Sequence, residues 1–241
     1  MKSNIKFFAL AIFIFNLSFA ACKKDNDLGS EAKMSEEEAI ETLETSLANV
    51  ATGLEEAAKI AGDYSAESDT SAVTYCNTTH DTTWAQAYTT QTGAGSYTAT
   101  WGFKINCNQI FVPVSIDLNS DATGTYQSLL LTGTETGEGD YLLEGLLPSA
   151  ANYEVNGDYH VESSVTSKTG LKNTYSVHIQ LAVTDVILDK ASFEIQAGTG
   201  DVELTATSPK GQSVTFTGTV VFNGNGTLTL TVNGKSYTIE Y

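Results

Sequence analysis

From Phe216 to Tyr241 the chain alternates apolar and polar residues with a period of two, and this constrains the fold more than any other feature. Phe216, Gly218, Val220 and Phe222 fall on one side, and Thr217, Thr219 and Val221 on the other. Leu228, Leu230 and Val232 then alternate with threonines, and Tyr237, Ile239 and Tyr241 with Ser236, Thr238 and Glu240. Such spacing describes half-buried strands of an antiparallel sheet. Asn233-Gly234 is a strong signal for a two-residue hairpin, because a type I′ turn needs positive φ at both central residues. That loop pairs Leu230 with Tyr237, Leu228 with Ile239, Thr229 with Thr238 and Thr231 with Ser236, so apolar meets apolar and hydroxyl meets hydroxyl.

Two other glycine-bearing stretches obey a different parity. An even loop at Asn223-Gly224-Asn225-Gly226 puts the faces of the flanking strands out of phase, so an odd loop with a bulge is expected. At Asn156-Gly157-Asp158 a three-residue loop pairs Val155 with Tyr159. Tyr159–Val165 and Tyr175–Val183 alternate cleanly, and a phase shift after Asp185 points to another bulge. Thr83–Thr90, Ser96–Ile105, Ile110–Leu118, Ala122–Leu131, Tyr141–Leu147, Phe193–Ile195 and Val202–Ala206 are further candidate strands.

One helix is expected, from Ser35 to Gly62. Ser35 and Glu38 form a capping box, Glu36 and Glu37 face the helix dipole, and Gly62 suits the residue after the last turn. Ile40, Leu43, Leu47, Val50, Leu54, Ala57 and Ala61 make its apolar stripe. The expected fold is mainly β (α+β). A curved antiparallel meander of about eleven strands over residues 72–241 is wrapped around, or covered by, this N-terminal amphipathic helix. Ile40, Leu43, Leu47 and Leu54 are the expected helix–sheet core. Residues 35–241 form one domain in this reading, because no composition break divides the strands.

Residues 1–21 have the form of a signal peptide: Lys2 and Lys6 precede an apolar run, Phe7–Phe15, too short to span a membrane. Phe19-Ala20-Ala21-Cys22 resembles the lipobox of bacterial lipoproteins, with Phe19 where leucine is usual. The resemblance implies that Cys22 is lipidated and becomes the mature N-terminus. Lys23, Lys24, Asp25, Asn26 and Asp27 resemble the export signal of surface lipoproteins in the Bacteroidota. Residues 22–34 then form a lipidated flexible tether. The stretches "YEVNGDY" and "GTVVFNGNGTLTLTVNGKSYTI", with a helix after the lipobox, resemble uncharacterised Bacteroidota lipoproteins. That likeness implies a compartment and a fold, and no activity.

The chain's charge is −17 and it contains no arginine. Nucleic-acid binding, which needs cationic contacts to phosphates, is therefore not expected. Cys76 and Cys107 remain after Cys22 is assigned, and outside the cytoplasm they read as a disulfide worth about 3–4 kcal/mol on the chain-entropy model. A metal site from Cys76, His80 and Cys107 would be short of a ligand. His160 and His178 are expected to face solvent, and His80-Asp81 to lie in a polar loop. No G-x-S-x-G nucleophile motif occurs. Asp117, Asn119 and Asp121 have calcium-loop spacing, but Ala122 and Ser128 stand where glycine and glutamate are needed, so a hairpin turn is expected there. Asp81-Thr82-Thr83 resembles the short O-glycosylation sequon of Bacteroidota.

The functional expectation is an outer-membrane lipoprotein, exposed at the cell surface, with no catalytic residues, cofactor or metal. It would contact the membrane through Cys22 and use its sheet for binding or structure. The alternative is a carrier of a lipid or another apolar ligand held between helix and curved sheet.

Overall fold

The structure is a computed structural model that describes residues 33–68, 76–89 and 93–241. The expected signal peptide, Cys22 and the stretch Lys23–Asp27 lie outside the described residues. Glu31–Tyr241 form one compact unit. Its described residues form helix α1 (Glu36–Ser68) and ten strands: β1 (Thr79–Thr89), β2 (Ala94–Cys107), β3 (Pro113–Gln127), β4 (Leu131–Glu144), β5 (Asn152–Ser167), β6 (Thr174–Asp189), β7 (Ile195–Thr207), β8 (Ser213–Gly224), β9 (Thr227–Val232) and β10 (Lys235–Glu240). The strands form a single open sheet in sequence order, β1 to β10, each antiparallel to the next.

The count is ten rather than about eleven because several expected strands are segments of longer ones. Most of Ile110–Leu118 and of Ala122–Leu131 fuses into β3, while Leu131 opens β4; the inward row of β3 is Ile116, Leu118, Ser120, Ala122 and Tyr126. The turn expected at Asp117, Asn119 and Asp121 does not exist. These residues form an exposed row on β3, and pairing on both sides overrides their turn preference: Asp117 opposes Lys104 and Leu142, and Asn119 opposes Gly102 and Asp140. The loop expected at Asn156-Gly157-Asp158 is also absent. Asn156 instead continues β5, pairing with Leu142, and as a single residue opposes Thr184 and Asp185, the bulged pair of β6. Its side-chain Oδ1 accepts a hydrogen bond of 2.9 Å from the Asp185 amide. Asp185 has φ of 52° and occupies the break in register between Thr184 and Ile187. Val155 and Tyr159 have the same parity, so a three-residue loop and an uninterrupted strand both keep them on one face, and the pattern alone does not decide between them.

The C-terminal hairpins follow the alternation. Leu230 pairs with Tyr237, Leu228 with Ile239, Thr229 with Thr238 and Thr231 with Ser236. Asn233 and Gly234 have φ of 51° and 77°, as the type I′ turn requires. Between β8 and β9, Phe222 pairs with Leu228 and Gly224 with Thr227, so the connection is odd and bulged.

The expected capping box forms. The Ser35 amide donates to Glu38 Oε2 (3.0 Å), and the Glu38 amide donates to Ser35 Oγ (3.2 Å). α1 does not stop at Gly62 but continues to Ser68. Gly62 is needed for space, since a Cβ there would come within 2.6 Å of the Phe193 ring. Ile40, Leu43, Leu47 and Leu54 are all buried, with Ala51 and Ala58 on the same face, and so are Thr42, Ser46, Asn49 and Gly53, which lie on the other side of the helix. α1 touches β2, β3, β4, β5, β7 and β10. The buried side chains of Glu38, Thr42, Ser46 and Asn49 find partners, as where Thr42 Oγ1 donates to the Glu38 carbonyl (2.9 Å), whereas Glu41 Oε2 has none among the described residues.

Candidate functional site

One stripe of α1 stays half-exposed: Glu41, Glu44, Thr45, Ala48, Thr52, Glu55 and Glu56, spaced three and four apart. Part of this stripe floors a cleft of about 520 Å³ whose other walls are Gln86 of β1 and Thr238–Tyr241 at the end of β10. The two edge strands of the open sheet therefore border the same cleft. Its titratable lining is acidic, Glu44 and Glu240, with no lysine. Partial burial pushes the Glu44 carboxyl above its ordinary range, and the charge of Glu41 adds to this. Glu55 is raised by burial, opposed by the hydrogen bond it accepts from the Ile195 amide (2.9 Å) and reinforced by Glu194. The Tyr241 phenol is raised by burial and by Glu55 and Glu194, and its hydroxyl has no hydrogen-bond partner among the described residues.

Asn49 connects the cleft to a buried polar cluster. Its Nδ2 donates to Glu135 Oε1, and Ser46 Oγ donates to Glu135 Oε2, both at 3.0 Å. Glu135 is only 6% exposed, and burial raises its carboxyl despite these two bonds. The hydroxyls of Tyr97 and Tyr159 share a hydrogen bond of 3.0 Å. Burial pushes Tyr97 up to about 12, opposed by the Tyr159 bond and reinforced by the charge of Glu135. Tyr141 is raised in the same way, first by burial. Three glycines of β4 make room for these rings: a Cβ at Gly137 would lie 2.0 Å from Tyr159 Oη, one at Gly133 2.4 Å from the Tyr126 ring, and one at Gly139 2.6 Å from the Tyr141 ring.

This cluster can hold helix and sheet together but has little to offer a substrate. The phenols stay protonated at neutral pH, and the carboxylate is sealed beneath α1 by two donors. Sequence reasoning missed Glu135. Its signal was phase: it lies an even number of residues from Leu131 and Tyr141, on the inward side of β4.

The other candidates lie apart from the cleft. Cys76 and Cys107 form the expected disulfide, with Cα atoms 5.5 Å apart. Their sulfurs are bonded to each other and are not thiolates available to a metal with His80. Among the described residues no group of three His, Cys, Asp or Glu side chains is placed to hold a metal ion. His80 is not in a loop but in β1, where Nε2 lies 2.8 Å from Thr78 Oγ1 and the ring stacks on Phe103. Asp81, Thr82 and Thr83 are also in β1, and Thr82 is half-buried on the side of the sheet that Trp84 uses to pack on the core. His160 and His178 stack on the outer face, and His178 Nδ1 lies 2.8 Å from Glu162 Oε1. Among the described residues no helix is long and apolar enough to cross a membrane. No protein-family model, curated protein or solved structure matches this chain.

Proposed function

We propose that this protein is a lipid-anchored, surface-exposed lipoprotein of the bacterial outer membrane that acts by binding, without catalysis, and that its sheet curls around α1 as an incomplete barrel. The observation that carries this reading is the filling of the sheet's apolar side by the protein's own helix. Leu43 is 0% and Leu54 1% exposed on one side of α1, and Thr42 is 0% and Asn49 7% exposed on another. A helix buried on several sides, and in contact with strands as far apart as β2 and β10, favours a curved sheet over a flat one. A flat sheet of ten strands, about 50 Å across, would leave most of its apolar face uncovered by one helix.

The cleft beside the helix bears on the alternative, a carrier of a lipid or other apolar ligand. An acyl chain needs a dry apolar slot. This cleft instead has Glu44, Glu240, Gln86 and three threonine or asparagine side chains from α1 in its walls. Ala48, Ile239 and Tyr241 lie beside these groups, so the lining is amphipathic rather than a dry apolar slot, and the two edge strands offer backbone donors and acceptors on either side. Native mass spectrometry of the protein purified from its own host separates the two readings. A bare mass, apart from the anchor, is expected, and a copurifying lipid in every preparation would replace the binding scaffold with the carrier. For the anchor, Cys22→Ala is expected to abolish acyl labelling and to release the protein from membranes. Undiminished acyl labelling of that variant would refute lipidation at Cys22.

A further inference from the structure

In a meander of ten antiparallel strands every second turn lies at the same end. The β3–β4, β5–β6, β7–β8 and β9–β10 turns therefore share one end, with the start of α1. Glu36 marks that position: it accepts hydrogen bonds from Lys235 Nζ (2.6 Å) and Asn233 Nδ2 (3.1 Å) of the β9–β10 hairpin. In a chain with a charge of −17, the stretches 128–130, 168–173, 208–212 and 233–235 contain Lys168, Lys172, Lys210 and Lys235 and no acid. All four lysines are exposed. Lys235 is paired with Glu36, and Lys168 donates to the Ser128 carbonyl. Among the described residues, the acids beside these turns are those of the first turn of α1, where Glu38 is tied into the capping box and Glu37 is exposed. Leu129 and Leu171 project from two of these turns, 67% and 71% exposed.

We propose that this end is a docking surface for a lipid bilayer bearing anionic phosphate headgroups, with Leu129 and Leu171 entering the interface and Lys168, Lys172 and Lys210 meeting the phosphates. Exposed leucines flanked by lysines suit a surface that is apolar below and negative at the headgroups. The opposite end also exposes Ile110, Phe111 and Leu147, but there Glu144, Asp189 and Glu194 outnumber the one lysine of its loops, Lys190, which donates to the Leu147 carbonyl. Chain reach favours the same end. The stretch from Cys22 to Ser35 can extend at most about 50 Å, and α1 itself is about 50 Å long, so an anchor at Cys22 leaves the opposite end at the limit of the tether. The biological setting rests on the lipid-anchored reading, whereas the surface chemistry does not need the acyl chains.

The test uses the processed chain from residue 22 with Cys22→Ala, sedimented at low salt with phosphatidylcholine vesicles or with vesicles containing one-quarter phosphatidylglycerol. Binding to the anionic vesicles only is expected, weakening as salt is raised. Lys168→Glu, Lys172→Glu and Lys210→Glu together are expected to lower it by on the order of a hundredfold, at about fivefold or more per lysine, while the far-ultraviolet circular dichroism spectrum stays that of the folded sheet. An environment-sensitive dye at Leu171→Cys is expected to shift to the blue on vesicle addition, and the same dye at Ile110→Cys to stay unchanged. Failure of the unlipidated chain to prefer anionic vesicles would overturn the proposal. So would equal binding by the triple variant, which keeps Lys23 and Lys24 in the tether, or a dye response at position 110 instead of 171. Lipidation at Cys22 stands or falls separately, on acyl labelling.

Discussion

Glu135 occupies an inward position of β4 where a leucine would fit the pattern, and two donors from α1 hold its carboxylate. Burial makes the folded protein bind the Glu135 proton more tightly than the unfolded chain does. The stability tied to that proton is fully present below the ordinary glutamate range near 4.5 and is lost as pH rises through the raised folded value. Glu135→Gln keeps the hydrogen-bonding shape without the charge. Its stability relative to wild type is therefore expected to improve from pH 4 to pH 8 in urea unfolding, and an unchanged difference would contradict the buried-charge account. Glu135→Leu is expected to destabilise by about 2–4 kcal/mol at pH 7, because Ser46 and Asn49 lose their partner in a dry site. Gly137 tests packing instead. Alanine there collides with Tyr159 Oη at 2.0 Å, so a loss of about 1–3 kcal/mol is expected, with a changed near-ultraviolet tyrosine signal as the Tyr97–Tyr159 contact shifts.

Among elements, β9 and β10 were legible down to the register because each residue there agrees with its partner across the hairpin and with its turn. β3 and β4 were not. Asp117, Asn119 and Asp121 look like a turn, and Gly133, Gly137 and Gly139 leave β4 without an apolar row, although each is an ordinary paired strand position once the neighbours are in place. The helix was legible in type and in its start, since the capping box is local. Its end was hidden because Gly62 answers to Phe193, a residue distant in sequence. Leu47, at 2% exposure, reports on how completely the sheet closes over α1. Leu47→Ala is expected to cost about 3–5 kcal/mol in chemical unfolding, and a loss below about 1 kcal/mol would mean that the helix is not a core element. Ser35→Ala removes a cap and is expected to cost about 1 kcal/mol.

For the molecule as a whole, the Cys76–Cys107 bond ties the approach to β1 to the end of β2, closing a loop that spans a sequence separation of 31 and contains one edge of the sheet. Replacing both cysteines by alanine is expected to lower stability by about 3 kcal/mol, read by urea midpoint, with hydrogen exchange rising first in β1. By itself the sequence determined the class of the fold, the single helix and its core side, the C-terminal register and the cysteine pair, because periodicity, capping and turn chemistry act between residues near in the chain. The tertiary structure alone decided that ten long strands form an open sheet, that α1 is buried on several sides, that Glu135 lies beneath it, and that lysines and leucines from four separate turns share one end. Those outcomes depend on residues distant in sequence being brought together, and no local preference specifies which ones meet.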